Sequence, residues 1–192
     1  MNSKKFLAFA MAAAMTLSMT ACGGSGSGAA SSGTDSAAGT AFKLGGTGPL
    51  TGGASIYGLA AQRGAQIAVD EINAQGGAIQ FDLKYEDDQH DPEKAVNAYN
   101  ALKEWGMQIS LGSVTSQPGI STSALSQEDG IFALTPSASS PDVIAGKDNV
   151  YQMCFSDPNQ GLASAQYIAE QQLGEKIFII WKSDDNYSTG IK

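Results

Sequence analysis

The chain has 192 residues, with 11 Lys and Arg against 19 Asp and Glu, a formal net charge of −8. That acidity argues against nucleic acid as a partner, because phosphate binding draws on clusters of Lys and Arg. A zinc site needs three or four His, Cys or acidic ligands, His90 is the only histidine, and no metal or cofactor is expected.

The N-terminus carries Lys4 and Lys5, an apolar stretch from Phe6 to Met19, and the small residues Thr20-Ala21 before Cys22. A charged start, a short apolar core and small residues at a cleavage point are the parts of an export signal. The apolar stretch is shorter than the ~20 residues a bilayer span needs. The junction resembles a bacterial lipoprotein signal. That resemblance implies cleavage before Cys22, lipid on its sulfur, and a place on the outer face of the cytoplasmic membrane. Stable anchoring takes more than one acyl chain, and a diacylglyceryl cysteine supplies them. Residues 1–21 are therefore assigned to the signal peptide. Residues 22–41, nearly all Gly, Ser, Ala and Thr, are assigned to a linker too polar and small to offset its ordering entropy. With Cys22 acylated only Cys154 remains, so no intramolecular disulfide is expected.

Beyond the linker lie roughly 150 residues, enough for one compact domain. Phe42 to Gly48 reads as a strand ending in a Gly-rich turn. From Ile56 to Asn73, Ala61, Ala65, Ala68, Val69 and Ile72 fall on helical spacing, and Gly76-Gly77 stops the helix. Ile79 to Asp87 alternates as a half-buried strand does. Asp91-Pro92-Glu93 supplies an N-cap, a proline at the first helical position and an acid in the first turn. Ala95, Val96, Tyr99 and Leu102 make the buried stripe of that helix. Met107 to Leu111 is the next strand, Gln117 to Glu128 the third helix, and Ile131 to Leu134 the fourth strand. Val150 to Phe155 is extended, Asp157-Pro158 caps a helix to Leu173, and Ile177 to Trp181 reads as a strand covered on both faces.

Alternating strands and helices with short links predict an α/β fold with a doubly wound parallel sheet. Ligands of such sheets bind beyond the strands' carboxyl ends, so Gly48 to Tyr57, Gly112 to Pro118, Thr135 to Pro141 and Ser183 to Tyr187 are the segments of interest. They are rich in hydroxyls, Gly and Tyr. Enzyme signatures are weak. Gly45-Gly46-Thr47-Gly48 lacks the third Gly of a dinucleotide fingerprint. The cluster Asp87-Asp88-Gln89-His90-Asp91 reads as a strand end and helix cap facing water, and His90 has no nucleophile motif to pair with.

Gly46-Thr47-Gly48-Pro49-Leu50-Thr51-Gly52, Tyr57-Gly58, and Gly64-Ala65 through Asp70-Glu71-Ile72-Asn73-Ala74-Gln75-Gly76-Gly77 are followed by Glu86-Asp87-Asp88 with Asp91-Pro92. Thr135-Pro136-Ser137-Ala138-Ser139-Ser140-Pro141 and Phe155-Ser156-Asp157-Pro158 with Gln160-Gly161 come next. In this order they resemble the branched-chain amino-acid type of substrate-binding protein from ABC transporters. The resemblance implies two α/β lobes that close on a small amino acid and deliver it to a membrane permease, without chemistry on the ligand. It implies a first lobe over residues 42–156 and the opening of a second over 157–192. Thr115 and Ser116 would offer a hydroxyl and backbone N–H groups at a helix start to the ligand carboxylate. Ser137, Ala138 and Ser139 would supply backbone groups and a hydroxyl for carboxylate and ammonium. Tyr57 would form the aromatic wall, and Tyr187 would reach in from the second lobe. Some relatives have a disulfide at the position of His90, which cannot form here. A sensor domain of the same fold is the alternative to a transport component. The full-length protein is expected to be a monomer. The family needs roughly twice this much globular sequence, so the chain made alone is expected to bind weakly or not at all and to aggregate through the uncovered run Ile177 to Trp181.

Overall fold

Residues 40–192 are described by a computed structural model. Cys22, the leader and most of the linker lie outside the described residues. Strand β1, Thr40–Gly48, starts inside the stretch assigned to the linker. It pairs in parallel with β2, Ile79–Asp87, from Thr40↔Ile79 to Gly48↔Asp87. Alternation along the two strands puts Phe42, Leu44 and Gly46 on the same face as Phe81, Leu83 and Tyr85. The Phe42 and Phe81 rings lie 6.3 Å apart. A side chain on Gly46 would strike the Tyr85 ring, so the glycine is what lets that ring lie flat on β1.

Helix α1, Ser55–Ala74, packs over β1 and β2. Helix α2, Pro92–Trp105, begins as its chemistry dictates: the Asp91 carboxylate accepts the N–H groups of Glu93 and Lys94, both at 2.9 Å. Gly106, with φ 94°, ends it in the left-handed conformation that favours glycine. Ala95, Ala98, Tyr99 and Leu102 are buried, and Tyr99 and Leu102 pack with Met107 in an apolar cluster. Strand β3 is Ile109–Ser113, helix α3 Ser116–Asp129 and strand β4 Phe132–Thr135. A short turn of 3₁₀ helix, Pro141–Val143, precedes β5, Val150–Gln152. Helices α4, Asp157–Glu170, and α5, Asn186–Ile191, pack on each other.

The sheet is parallel throughout with strand order β2-β1-β3-β4-β5. The chain leaves β1 outward to β2, then crosses to β3 on the other side of β1. Loops after β1 and β3 therefore diverge and open a crevice at their carboxyl ends, the usual ligand position of this topology.

Three expectations are corrected. Ile177 to Trp181 forms no strand, and all five side chains are exposed, Phe178 by 87% and Ile180 by 86%. A strand exists only through hydrogen bonds to a neighbour, and among the described residues none lies beside this run. On α1 the expected stripe is buried only at Val69; Ala61 and Ala65 are half-buried, and Ala68 and Ile72 are exposed. Helix α4 is capped by Ser156, with Asp157 its first helical residue.

Two glycines of α1 separate close packing from helix propensity. A Cβ on Gly58 would collide with the Pro49 carbonyl, whereas one on Gly64 meets nothing within 4 Å. Gly64→Ala should raise stability in urea unfolding by about 0.5–1 kcal/mol, the ordinary gain of alanine in a helix. Gly58→Ala should lower it by about 1–3 kcal/mol despite that gain, because the loop after β1 must move.

Candidate functional site

The crevice floor is a column of buried hydroxyls. Thr47 Oγ1 lies 2.6 Å from Ser113 Oγ, which lies 2.9 Å from Thr122 Oγ1 on α3. Thr135 Oγ1 donates to the Ser113 carbonyl at 2.7 Å and accepts the Ala138 N–H at 3.0 Å. All four hydroxyl residues are buried. The column joins the ends of β1, β3 and β4 through hydroxyl and backbone groups.

Above it, the loops after β3 and β4 are tied together. Ser116 Oγ accepts the N–H groups of Ser139 and Ser140, both at 3.2 Å. Ser137 Oγ donates to the Val114 carbonyl at 2.5 Å. The Gln152 side chain, from β5, donates to the carbonyls of Ala138 and Ser140 at 2.7 and 2.8 Å. Thr115 is the N-cap of α3 in extended conformation, with no side-chain capping bond. The N–H groups of the first turn of a helix have no intrahelical partner and carry the positive end of the macrodipole. A carboxylate is the natural occupant of such a position.

The loop after β1 is held by Asp87. Its carboxylate accepts from Leu50 N at 2.7 Å, Thr51 Oγ1 at 2.5 Å and Gln89 N at 3.0 Å. Burial alone would raise its pKa, but these bonds outweigh burial and hold the carboxyl below its ordinary range. Asp88, expected to face water, is fully buried. One of its oxygens accepts the His90 N–H at 2.9 Å and the other has no partner. Burial, helped by the neighbouring Asp87 charge, pushes its pKa up to about 6. His90 Nδ1 lies 2.9 Å from Thr115 Oγ1.

The structure thus brings Thr115, Ser116, Ser137, Ala138 and Ser139 into one cluster. Several of their polar groups are already engaged: both backbone groups of Ala138, and the Ser139 carbonyl, which accepts from Asp157 N at 3.1 Å. Tyr57 is 64% exposed on the first turn of α1. Tyr187, on α5, shares its hydroxyl with the Gln160 side chain at 3.2 Å. Neither tyrosine hydrogen-bonds the cluster. Beside it a cleft of about 460 Å³ opens between Ser140–Asp142 and Ser183–Gly190. Sequence reasoning missed Gln152 and Asp88, whose roles come from contacts distant along the chain and leave no local signal.

The raised pKa of Asp88 has a signed consequence. A carboxyl whose folded pKa lies above its unfolded value favours the fold below that unfolded value, and the benefit is lost as pH rises through the folded one. Asp88→Asn, which does not titrate, should match wild type near pH 3.8 and become the more stable of the two as pH rises to about 6. Urea unfolding midpoints of both proteins across that range measure the gap.

Comparison with known proteins adds the lineage. The model of the family described as periplasmic binding protein matches residues 41–192. The Leu/Ile/Val-binding protein BraC3 of Rhizobium johnstonii is 35% identical over 135 residues, 69% of this chain and 37% of that protein. Homolog 3 of the Leu/Ile/Val-binding protein in Brucella melitensis is 33% identical over 155 residues, 79% of this chain and 42% of that protein. The chain therefore spans less than half the length of these relatives. Among solved structures, the substrate-binding protein LivJ of the Streptococcus pneumoniae branched-chain amino acid transporter, in complex with isoleucine, superposes with a TM-score of 0.74 at 28% identity. The match covers 79% of this chain and 44% of that one. The leucine-binding protein LivK of Thermotoga maritima superposes at 0.73 with 25% identity, over 78% and 43% of the two chains. With the sheet order, the crevice and the profile match over residues 41–192 in agreement, the chain belongs to the periplasmic binding protein family.

Proposed function

We propose that this chain carries the first ligand-holding lobe of an extracytoplasmic solute-binding component of an ABC importer, which captures a branched-chain or related amino acid and passes it unaltered to the permease. The observation that carries this is the cluster at the start of α3, where the hydroxyls of Thr115, Ser116, Ser137 and Ser139 gather with the N–H groups of the first helical turn, beside the buried carboxyl of Asp157. Such a surface suits a zwitterion, which brings both charges itself and needs donors for one end and acceptors for the other. Kinship with Leu/Ile/Val-binding proteins supports the amino-acid class. Thr115 and Ser116 hold the carboxylate with the N-terminus of α3. The 137–139 segment supplies backbone groups and the Ser139 hydroxyl, and Tyr57 and Tyr187 flank the aliphatic part. Family membership supports a place outside the cytoplasm, and lipid on Cys22 holds the protein at the membrane.

Titration calorimetry of the full-length mature protein with L-leucine, L-isoleucine and L-valine tests the ligand class. Binding should be saturable for at least one of them, and ligand at ~100-fold its Kd should stabilise the protein by about 2.7 kcal/mol. Ser116→Ala should weaken that ligand by roughly tenfold or more, since it frees two buried N–H groups and loosens both loops at once. No heat and no thermal shift with any amino acid would reject the proposal.

The anchor has a separate check. Cys22→Ser expressed in a bacterial host should leave the leader attached and the product free of lipid by intact mass, whereas wild type should lose residues 1–21 and gain acyl mass.

A further inference from the structure

His90 sits where three parts of the fold meet. Its backbone is left-handed, φ 60°, as is that of Gln89, φ 52°, a conformation residues other than glycine rarely take. The turn is held by the His90 N–H on Asp88 Oδ1 and the Asp91 N–H on the Asp88 carbonyl, both at 2.9 Å. It aims the ring between two helix N-caps. Nδ1 lies 2.9 Å from Thr115 Oγ1, at the start of α3. Nε2 lies 3.7 Å from Asp185 Oδ1, at the start of α5.

The two neighbours differ in what they can do with a ring proton: the Thr115 hydroxyl can donate or accept at 2.9 Å, and the Asp185 carboxylate lies 3.7 Å away. An ionised carboxylate can only accept, so a proton on the nitrogen facing Asp185 is the electrostatically favoured arrangement of the neutral ring. Nδ1 then offers a lone pair, and the Thr115 hydroxyl donates to it. We propose that His90 is a positioning residue that sets the hydrogen-bond polarity of the Thr115 hydroxyl, and so tunes the grip of the α3 N-terminus on a ligand carboxylate. With His90 neutral, the Thr115 proton is spent on Nδ1 and only its lone pairs face outward, suiting an ammonium. When the ring takes up a proton, Nδ1–H donates to Thr115 Oγ1 and the hydroxyl proton turns free to donate to a carboxylate. The same protonation gives the ring a charge-assisted contact with Asp185.

Asp185 faces the ring across 3.7 Å, and Asp88 holds the backbone N–H of His90. Asp87 is occupied with Leu50 and Thr51, and Asp91 with the first turn of α2. The one cation on α2 near the turn, Lys94, is held by the Gln89 side chain. From α3 the facing group is the uncharged Thr115.

The identity of the ligand rests on the function proposed above; the tautomer does not. His90 is the only histidine in the chain, and in a two-bond ¹H–¹⁵N spectrum of the full protein its signals are the ones lost in His90→Gln. At about pH 8 the Nε2–H tautomer is expected, with the Nδ1 resonance displaced in Thr115→Val. L-leucine titrated calorimetrically from about pH 8 to about pH 5.5 should bind roughly three- to tenfold more tightly at the acid end. His90→Gln should flatten that profile, while Asp88→Asn, which removes a carboxyl whose pKa is raised to about 6, should keep it. An Nδ1–H tautomer, or a pH profile unchanged in His90→Gln, overturns the proposal. If L-leucine binds at no pH, the amino-acid reading fails, and the tautomer and its response to Thr115→Val still decide the role of His90.

Discussion

The hydroxyl column under the crevice is the constraint on which the site rests. Most strand ends in a parallel sheet meet through apolar packing; here Thr47, Ser113, Thr122 and Thr135 meet through oxygen. A buried hydroxyl is tolerated only when it is bonded, and bonding fixes its direction as well as its place. Each member therefore dictates where the next one stands. Thr135 also holds the Ala138 N–H, and through that turn the column determines where Ser139 and Ser140 present their N–H groups to Ser116. Loops that would otherwise wander become part of a rigid rim.

The same sheet is unequal on its two faces. Helices α2 and α3 pack on each other over one of them, where Tyr99, Leu102, Ala133 and Val150 are buried. On the other, α1 covers β1 and β2. The registers put Ile109, Phe132, Leu134 and Tyr151 on that same side, and the stacked rings of Phe132 and Tyr151, 44% and 50% exposed, meet no helix among the described residues. Parallel sheets are ordinarily covered on both sides. The exposed apolar side of α1, including Ile67 at 59%, borders the same ground.

Local chemistry was the legible part of the sequence. Asp91-Pro92 specifies a helix start whatever surrounds it, and the Ala95–Leu102 stripe follows from one period. The α/β order and the hydroxyl-rich loops at the strand ends were readable for the same reason. Partner-dependent features were not. The apolar run Ile177–Trp181 has every intrinsic mark of a strand, yet strandhood is a property of two segments. Asp88 sits in a run of acids that reads as solvated; it is buried where its N–H bonds the Gly48 carbonyl at the end of β1, a pairing forty residues away in sequence. Likewise the candidate residues around Ser137 could be located to a loop, but which hydroxyls stay free and which are consumed by the fold depended on Gln152 and Ser116 meeting the same turn.

The bared run from Ile177 to Trp181 also bears on how such a chain comes to be folded. Strands β1 to β5 find their partners through short crossovers, so the sheet can assemble early and from nearby contacts. Phe178 and Ile180 gain nothing from that assembly. Until some other stretch of polypeptide claims them, they remain an oily, hydrogen-bond-hungry ribbon of the kind that holdase grooves capture and that drives premature aggregation. The quality-control machinery of the producing cell would meet this ribbon first.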